Sequence, residues 1–531
     1  MTYYRDFREY VAKLDEMGLV RHVSTPINKD TELMPLVRLQ FRGLPAEQRT
    51  AWVFDDVRDI HGRGYDGSLA VCVLGANRAV YAAALGCAPE DISRKWAEVH
   101  RHYIEPKLVK DGPCKEEIHI GDTLLEHQGI LEFPHPISTP GFDPAPYFTS
   151  PYWVTKDPET GQRNVGTYRA MVKGPARTGV MAHQSQHIGI HFQKIQRQGK
   201  NRLDAAVVIG CTPAVGLCSV AKVPYGVDEY AVAGGIAGEP IELIKCETVD
   251  LEVPATAEIV IEGWVDTTYR EKEAPFGEYT GYMGGRVINP VFNVTAITHR
   301  KKPLYQAFLS QFPPSESSLI RKLSYDAAYL KFLRHDCNIP GVLDVQLHES
   351  TGSYGLMVIQ LKKTHPAQPW QALNAAVAFD PTIGKVIVAV DDDIDPNDAD
   401  AVNWAMAFRM QPHHDTRITN GKASILDPSS APPEASVDVQ RFPPPVGTSS
   451  LLIDATRKWG YPPTSLPARE FMEVALQRWQ AEGLPALSLK QPWFGYELGY
   501  WTAEEREDAA KAIRGEYLDT GEKLRSSRED L

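Results

Sequence analysis

Twenty residues, 133–152, contain six prolines interleaved with Phe133, Tyr147, Phe148 and Tyr152. Each proline fixes φ and removes a backbone donor, so neither a helix nor a central strand runs through this stretch. The chain must therefore build its regular structure on either side of a long irregular segment. Such segments in compact domains are often functional.

Upstream, Phe7, Tyr10, Val11, Leu14 and Met17 recur at helical spacing before Gly18, which predicts a helix over 7–19. The apolar run Leu69–Leu74, the turn Gly75-Ala76-Asn77 and the apolar segment Ala79–Leu85 read as strand, turn and helix. That order predicts an N-terminal α/β domain over residues 1–115. Downstream, Ala205–Ile209, Ile259–Ile261 and Val287–Thr298 are β-like runs between turn residues, which predicts a β-rich barrel or sandwich over 116–310. Leu319, Leu323, Ala327, Leu330 and Leu333 form one stripe of a connecting helix within 311–340. Strands at Val342–Leu347, Gly355–Leu361 and Lys385–Val390, with a helix over Trp370–Phe379, predict a second α/β domain over 341–495. The charged tail, 496–531, reads as a solvated or oligomer-packing helix.

Composition excludes several classes of function. A net charge of −12 without a long basic run argues against electrostatic binding of nucleic acid or an anionic membrane, while a small anion needs only local cations. Seven cysteines with no CxxC pair argue against a disulfide framework. No apolar stretch approaches a membrane span of about 20 residues, so a cytoplasmic protein is expected.

Three constellations carry candidate chemistry. In Asn164-Val165-Gly166-Thr167-Tyr168-Arg169, backbone N–H groups and a guanidinium fork could hold an anion, although the string also reads as a strand with a solvent-facing arginine. His183, His187 and His191 share a face if their segment is helical, a spacing open to a metal-dependent hydrolase or to a plain polar helix face. Glu273 and Glu278 flank Pro275 and Gly277, so a turn could bring two carboxylates into one pocket as ion-pair partner and proton carrier. Taken alone, that segment is a charged β-turn. Val227-Asp228-Glu229 and the acidic run Asp391–Asp395 remain, the latter readable as a solvated turn or an interdomain strut.

Taken in order, these segments resemble the UbiD family of decarboxylases, which use prenylated FMN. The resemblance rests on Asn-x-Gly-x-Tyr-Arg at 164–169, Gln186-His187, Asp228-Glu229, Glu273-x-Pro-Phe-Gly-Glu278 and Asp392-Asp-Ile-Asp-Pro396. It implies a central split-β-barrel that binds flavin, between an N-terminal α/β domain and a C-terminal α/β oligomerisation domain. It implies that Asn164, His187 and Glu229 ligate Mn²⁺ or Mg²⁺ holding the cofactor phosphate, with K⁺ nearby. Val165, Gly166, Thr167, Tyr168, Arg169 and Gln186 would line the cofactor, and Lys385 would approach its phosphate. Arg169 would bind the substrate carboxylate, Glu273 would orient Arg169, and Glu278 would deliver the proton that replaces CO₂.

The implied reaction is non-oxidative, in principle reversible decarboxylation of an aromatic or α,β-unsaturated carboxylic acid through a covalent prenylated-FMN adduct. Bulkier aromatic acids and aromatic acyl-CoA thioesters fall in the same range. A flavin prenyltransferase would supply the cofactor, and the protein would form a homo-oligomer, dimer or hexamer. A non-catalytic flavin-binding protein would need the phosphate site but not both glutamates.

Overall fold

The computed structural model describes residues 3–183, 186–380, 382–422, 426–430 and 448–527. The opening helix, Phe7–Glu16, is capped by Asp6, whose carboxylate accepts the Glu9 N–H at 2.8 Å. It buries Phe7, Tyr10, Val11 and Leu14, each worth about 1.5–3 kcal/mol relative to exposure. The helix stops short of Leu19 because Gly18 turns left-handed, with φ at 70°, and the Leu19 N–H closes onto the Leu14 carbonyl.

The N-terminal sheet runs Val20–Val23, Ala51–Phe54, Ser68–Val71, Leu304–Ala307. Its last strand pairs in parallel with Ser68–Val71, although it lies almost 240 residues later in the chain. The expected boundary at 310 therefore falls inside the N-terminal sheet's final connection. One hydrophobic core runs through both regions, from Tyr3 to Ala327, and Tyr152 reaches across it to donate to Gln306 at 2.9 Å. The N-terminal and central units are two layers around one core.

The central sheet has nine strands, curled and antiparallel throughout. Arg163–Thr167 forms one edge; inward from it lie Tyr152–Lys156, Arg202–Ile209 and the two longest strands, Ile259–Glu273 and Val287–His299. The two longest strands pair with register shifts, which bend them and carry the first on to Glu273 at the sheet's rim. The reading of Ile259–Ile261 caught only the first three of its fifteen residues.

Helix Glu316–Lys331 connects this body to a five-stranded sheet ordered Val342–Leu347, Leu356–Leu361, Val386–Asp391, Thr448–Ala455, Thr416–Lys422. Its first residue, Glu316, is fully buried and accepts the N–H groups of Cys72, Leu74 and Leu309 at 3.0–3.2 Å. Asp391 and Asp393 lie at the end of the central strand of the five-stranded sheet. They bind Arg409 and Arg457 of the C-terminal domain and Tyr496, the first residue of the expected tail, so these two acids form a strut inside that domain that also ties the tail to it. The tail forms helices Ala503–Ile513 and Tyr517–Arg525, preceded by Arg469–Ala481, and none of the three contains a buried residue. Among the described residues, no helix is long and apolar enough to cross a membrane.

Candidate active site

The edge strand Arg163–Thr167 and the kink after it present two groups of side chains. Asn164, in the strand, is buried; its Oδ1 lies 3.1 Å from Nδ1 of His187, which in turn lies 3.7 Å from Oε1 of Glu229. His187 opens helix His187–Arg197, and Glu229 opens helix Glu229–Ala237. Two helix N-termini therefore meet here, each with the partial positive charge of a helix start. Glu229 Oε2 accepts the Val165 N–H at 2.8 Å, which ties the second helix to the edge strand. Arg163 strengthens that tie by donating to Asp228, the residue that caps the helix, at 2.6 and 2.9 Å.

Asn164 Nδ2 is buried without a hydrogen-bond partner. Burial pushes the Glu229 carboxyl above its ordinary value, against the pull of His187 and the Val165 N–H. An amide oxygen, an imidazole and a carboxylate with these needs suit a hard divalent cation that also carries phosphate oxygens. Gly166 is required beside them: a Cβ there would lie 2.3 Å from the hydroxyl of Tyr168, which folds back over the strand. Gln186 caps the first helix without a side-chain cap bond and instead accepts the His183 N–H through Oε1.

The second group begins five residues on, at most roughly 18 Å along extended chain from Asn164. Arg169 sits in the kink between two strands, with its carbonyl accepting the Met181 N–H at 3.1 Å. Its Nε donates to Glu273 Oε1 at 3.0 Å, and its Nη1 contacts Glu278 Oε1. Glu273 is wholly buried, and its Oε2 accepts from Asn289 Nδ2 at 2.6 Å. Both Glu273 oxygens are committed. Glu278 is nearly as buried, but its Oε2 accepts no hydrogen bond from a described residue.

A small hairpin mounts Glu278: Phe276–Gly277 pairs with Met283–Gly284, and the Glu278 N–H donates to the Tyr282 carbonyl. Gly284 lets the hairpin lie against the pair, since a Cβ there would sit 3.1 Å from Arg169 Nη1 and 3.3 Å from Glu278 Cγ. The proline-rich stretch supplies the clamp. Asp143 accepts the Gly277 N–H at 3.0 Å and the Thr139 N–H at 2.6 Å. Phe276 packs at a tilt against Tyr147, with its ring 5.7 Å from the Arg169 guanidinium carbon.

The structure thus brings together Asn164, His187 and Glu229, and separately Arg169, Glu273 and Glu278. Lys385 joins neither group: it precedes a C-terminal strand and binds Asp427 and Ser429 at 2.7 and 2.5 Å. Nor do the three histidines converge. His183 precedes the helix, and His191 Nδ1 turns to Thr155 at 2.9 Å, with burial pushing that imidazole down to about 4. Their ligand atoms do not meet as a metal cluster among the described residues, so the geometry lends the hydrolase reading no support. Asp143 and Asn289 were not visible in the sequence as site residues. Asp143 lies in the irregular stretch flagged as functional, whereas Asn289 had no local signal.

Comparison with known proteins gives concordant findings. The 3-octaprenyl-4-hydroxybenzoate carboxy-lyase Rift-related domain (UbiD) matches residues 107–312, and the corresponding C-terminal domain (UbiD_C) matches 318–455. An uncharacterized protein of Archaeoglobus fulgidus is 31% identical over 479 residues, 86% of this chain and 92% of that one. The UbiD-class enzyme HmfF from Pelotomaculum thermopropionicum, in complex with FMN, is 32% identical with a TM-score of 0.73, covering 85% of this chain and 94% of that one. Its evolved dimeric form, in complex with prFMN, is 32% identical with a TM-score of 0.71, covering 86% and 95%. Vanillic acid decarboxylase from Sedimentibacter hydroxybenzoicus, in closed form, is 25% identical with a TM-score of 0.76, covering 90% and 100%.

Proposed function

This chain belongs to the UbiD family of carboxy-lyases, and from that premise we propose that it decarboxylates an aromatic or α,β-unsaturated carboxylic acid with prenylated FMN as cofactor. The observation that carries the reading is one guanidinium held by a fully committed carboxylate, Glu273, while a second carboxylate, Glu278, keeps an oxygen uncommitted. Asn164, His187 and Glu229 would hold the divalent metal, Mn²⁺ or Mg²⁺, and through it the cofactor phosphate at the two helix N-termini. Val165, Gly166, Thr167, Tyr168 and Gln186 would border the cofactor, with K⁺ as a further ion. When bound, prenylated FMN supplies the electron sink for charge left on an sp² carbon as CO₂ departs.

The protein's own residues do the rest. Arg169 binds the substrate carboxylate and fixes its plane through the guanidinium fork. Glu273 and Asn289 hold that fork at one angle. Glu278 carries the proton to the carbon that loses CO₂, because its free Oε2 can hold and release it. Asp143 and Thr139 keep the hairpin under Glu278 in place. A flavin prenyltransferase would supply the cofactor to a cytoplasmic homo-oligomer. The exposed apolar residues Val474, Leu518 and Leu524 on the C-terminal helices suit such assembly.

The reading is tested by incubating cofactor-loaded protein in D₂O with a panel of unsaturated and aromatic acids, including acyl-CoA thioesters. Product one CO₂ lighter with deuterium at the vacated carbon is expected. No such product from any acid would refute the activity. For the cofactor site, His187→Ala should fold yet lose flavin, whereas His183→Ala should retain it; full flavin and metal in His187→Ala would remove the phosphate-metal assignment.

A further inference from the structure

A second group of metal-competent side chains lies at the opposite end of the long strand that carries Asn289. His299 ends Val287–His299, ten residues beyond Asn289 and thus roughly 33 Å along the strand. The neighbouring strand Glu117–Ile120 pairs His119 with Ile297 and Glu117 with His299, so His119 and His299 are diagonal neighbours on one face. The chain then forms the short helix Asp122–Glu126, capped by His127. It reverses through Gln128 and Gly129, both left-handed, and returns Glu132 to the same point.

The ligand atoms of His119, His127 and Glu132 all lie within 4.8 Å of one another. His119 Nδ1 is 3.2 Å from Glu132 Oε2, and His299 Nε2 is 3.6 Å from Glu132 Oε1. A tetrahedral ion with bonds of about 2.0–2.2 Å has ligand–ligand edges of roughly 3.3–3.6 Å, so the His119–Glu132 separation is close to one such edge, while His127, stacked on His119 with ring centroids 3.9 Å apart, has to turn to complete the shell. His119 and His299 are 5% and 6% exposed, yet His119 Nδ1, His299 Nε2 and Glu132 Oε2 have no hydrogen-bond partner. Burying polar atoms without partners is costly unless something else satisfies them.

His299 lies beside this group. Its Nδ1 lies 2.9 Å from the Arg300 carbonyl, which fixes the proton there and leaves the Nε2 lone pair facing Glu132. Among the described residues, no lysine or arginine pairs with Glu132.

We propose that His119, His127 and Glu132 form a structural site for a zinc-class divalent ion, separate from the active site, with His299 against the other oxygen of Glu132. Two imidazoles and one carboxylate suit Zn²⁺ and its neighbours, not Ca²⁺ or Mg²⁺. His127 is exposed and gives the ion a way in. Bound there, the ion fastens the returning segment 127–132 to the strand Glu117–Ile120. It thereby anchors the start of the proline-rich stretch that carries Asp143.

The test uses metal-free full-length protein titrated with Zn²⁺ alone and with Co²⁺ alone. His187→Ala is titrated in parallel to remove the phosphate-metal site. One equivalent of Zn²⁺ should persist in His187→Ala, and Co²⁺ should give the intense visible bands of a tetrahedral ion. His127→Ala changes an exposed side chain and Glu132→Gln keeps its shape, so both should fold. Each should weaken that equivalent by roughly tenfold or more. Zn²⁺ affinity unchanged in both variants would overturn the site. So would a protein that binds no Zn²⁺ beyond the Asn164–His187–Glu229 group, which would leave Glu132 sharing a proton with His119.

Discussion

Two corners of this molecule are built from the same parts and do different work. At one, Arg169 sits between Glu273 and Glu278; at the other, Arg409 sits between Asp391 and Asp393. Both guanidinium groups are buried, with side chains 8% and 1% exposed. The difference lies in how many valences remain. Arg409 forks onto Asp393 at 2.6 and 2.7 Å and onto Asp391 at 3.1 Å. Asp393 also accepts the Tyr496 hydroxyl, and Asp391 accepts the Arg457 N–H and Nε. Each carboxylate there is held from several elements, so neither can move or exchange a proton without breaking the strut. At Arg169, Glu273 alone is saturated, while Glu278 stands in the loop of a small hairpin with an oxygen that accepts no hydrogen bond from a described residue. A buried arginine between two acids marks a reactive site only where one acid is left incomplete.

The sharpest break between the corners is Glu278→Gln. The amide keeps the shape and removes the proton, so decarboxylation should fall by about 10²–10⁴-fold, with the thermal midpoint essentially unchanged. Single-turnover assays on cofactor-loaded variant measure this. Activity within a fewfold of wild type would mean that the proton comes from elsewhere.

Asp393→Asn should do the reverse. Removing one partner of a buried ion pair typically costs about 3–5 kcal/mol, because the other charge stays buried. Denaturant titration should show that loss in the C-terminal transition, while the folded fraction keeps its turnover. Burial pushes the Asp393 carboxyl up, but Arg409 and Tyr496 outweigh it and hold it below its ordinary value. The strut's stabilisation is therefore present near neutrality and fades as pH falls through that lowered value. Undiminished stability in Asp393→Asn would remove the contrast.

How much of this was legible in the sequence follows from the reach of each interaction. The opening helix was readable because its buried face and its cap lie within ten residues. The two carboxylates around Pro275 and Gly277 were readable as a turn-linked pair for the same reason. Glu273's second partner, Asn289, comes from the next strand, whose register depends on bulges that no local pattern announces. Leu304–Ala307 falls inside the stretch 116–310 expected to be the β-rich unit, and only its pairing with Ser68–Val71 places it in the other sheet. The acidic run after Val390 looks solvated in sequence because Arg409, Arg457 and Tyr496 all arrive later in the chain.

Glu316 gives a third kind of buried carboxylate, one with no cation. Burial pushes it up to about 7 despite three backbone N–H donors. A carboxyl raised in the folded state binds its proton more tightly there than when unfolded, so its contribution to stability is complete at low pH. That contribution is lost as pH rises from about 4.5 to about 7, opposite in sign to Asp393 and on the order of 3 kcal/mol. Asp326, pushed by burial to about 6, adds a slope of the same sign. The readout is therefore the difference between wild type and Glu316→Gln across that range. A difference independent of pH would mean that the backbone donors keep Glu316 ionised throughout.

The smallest effect belongs to a third fork. Arg506 donates to both oxygens of Glu497 at 2.7 Å, a geometry as good as that of Arg409 on Asp393. Here, however, the side chains are 50% and 47% exposed. Water solvates both ions when the pair is broken, salt screens what attraction remains, and ordering two long side chains opposes the contact. Arg506→Ala should therefore leave the thermal midpoint and turnover unchanged. The same substitution at Arg409 should unfold the C-terminal sheet, and Arg169→Ala should abolish decarboxylation. A large stability loss from Arg506→Ala in the isolated protomer would show that fork geometry, not burial and unspent valence, sets what an arginine between acids does here. A loss seen only in the oligomer would instead place the exposed helix Ala503–Ile513 at a subunit contact.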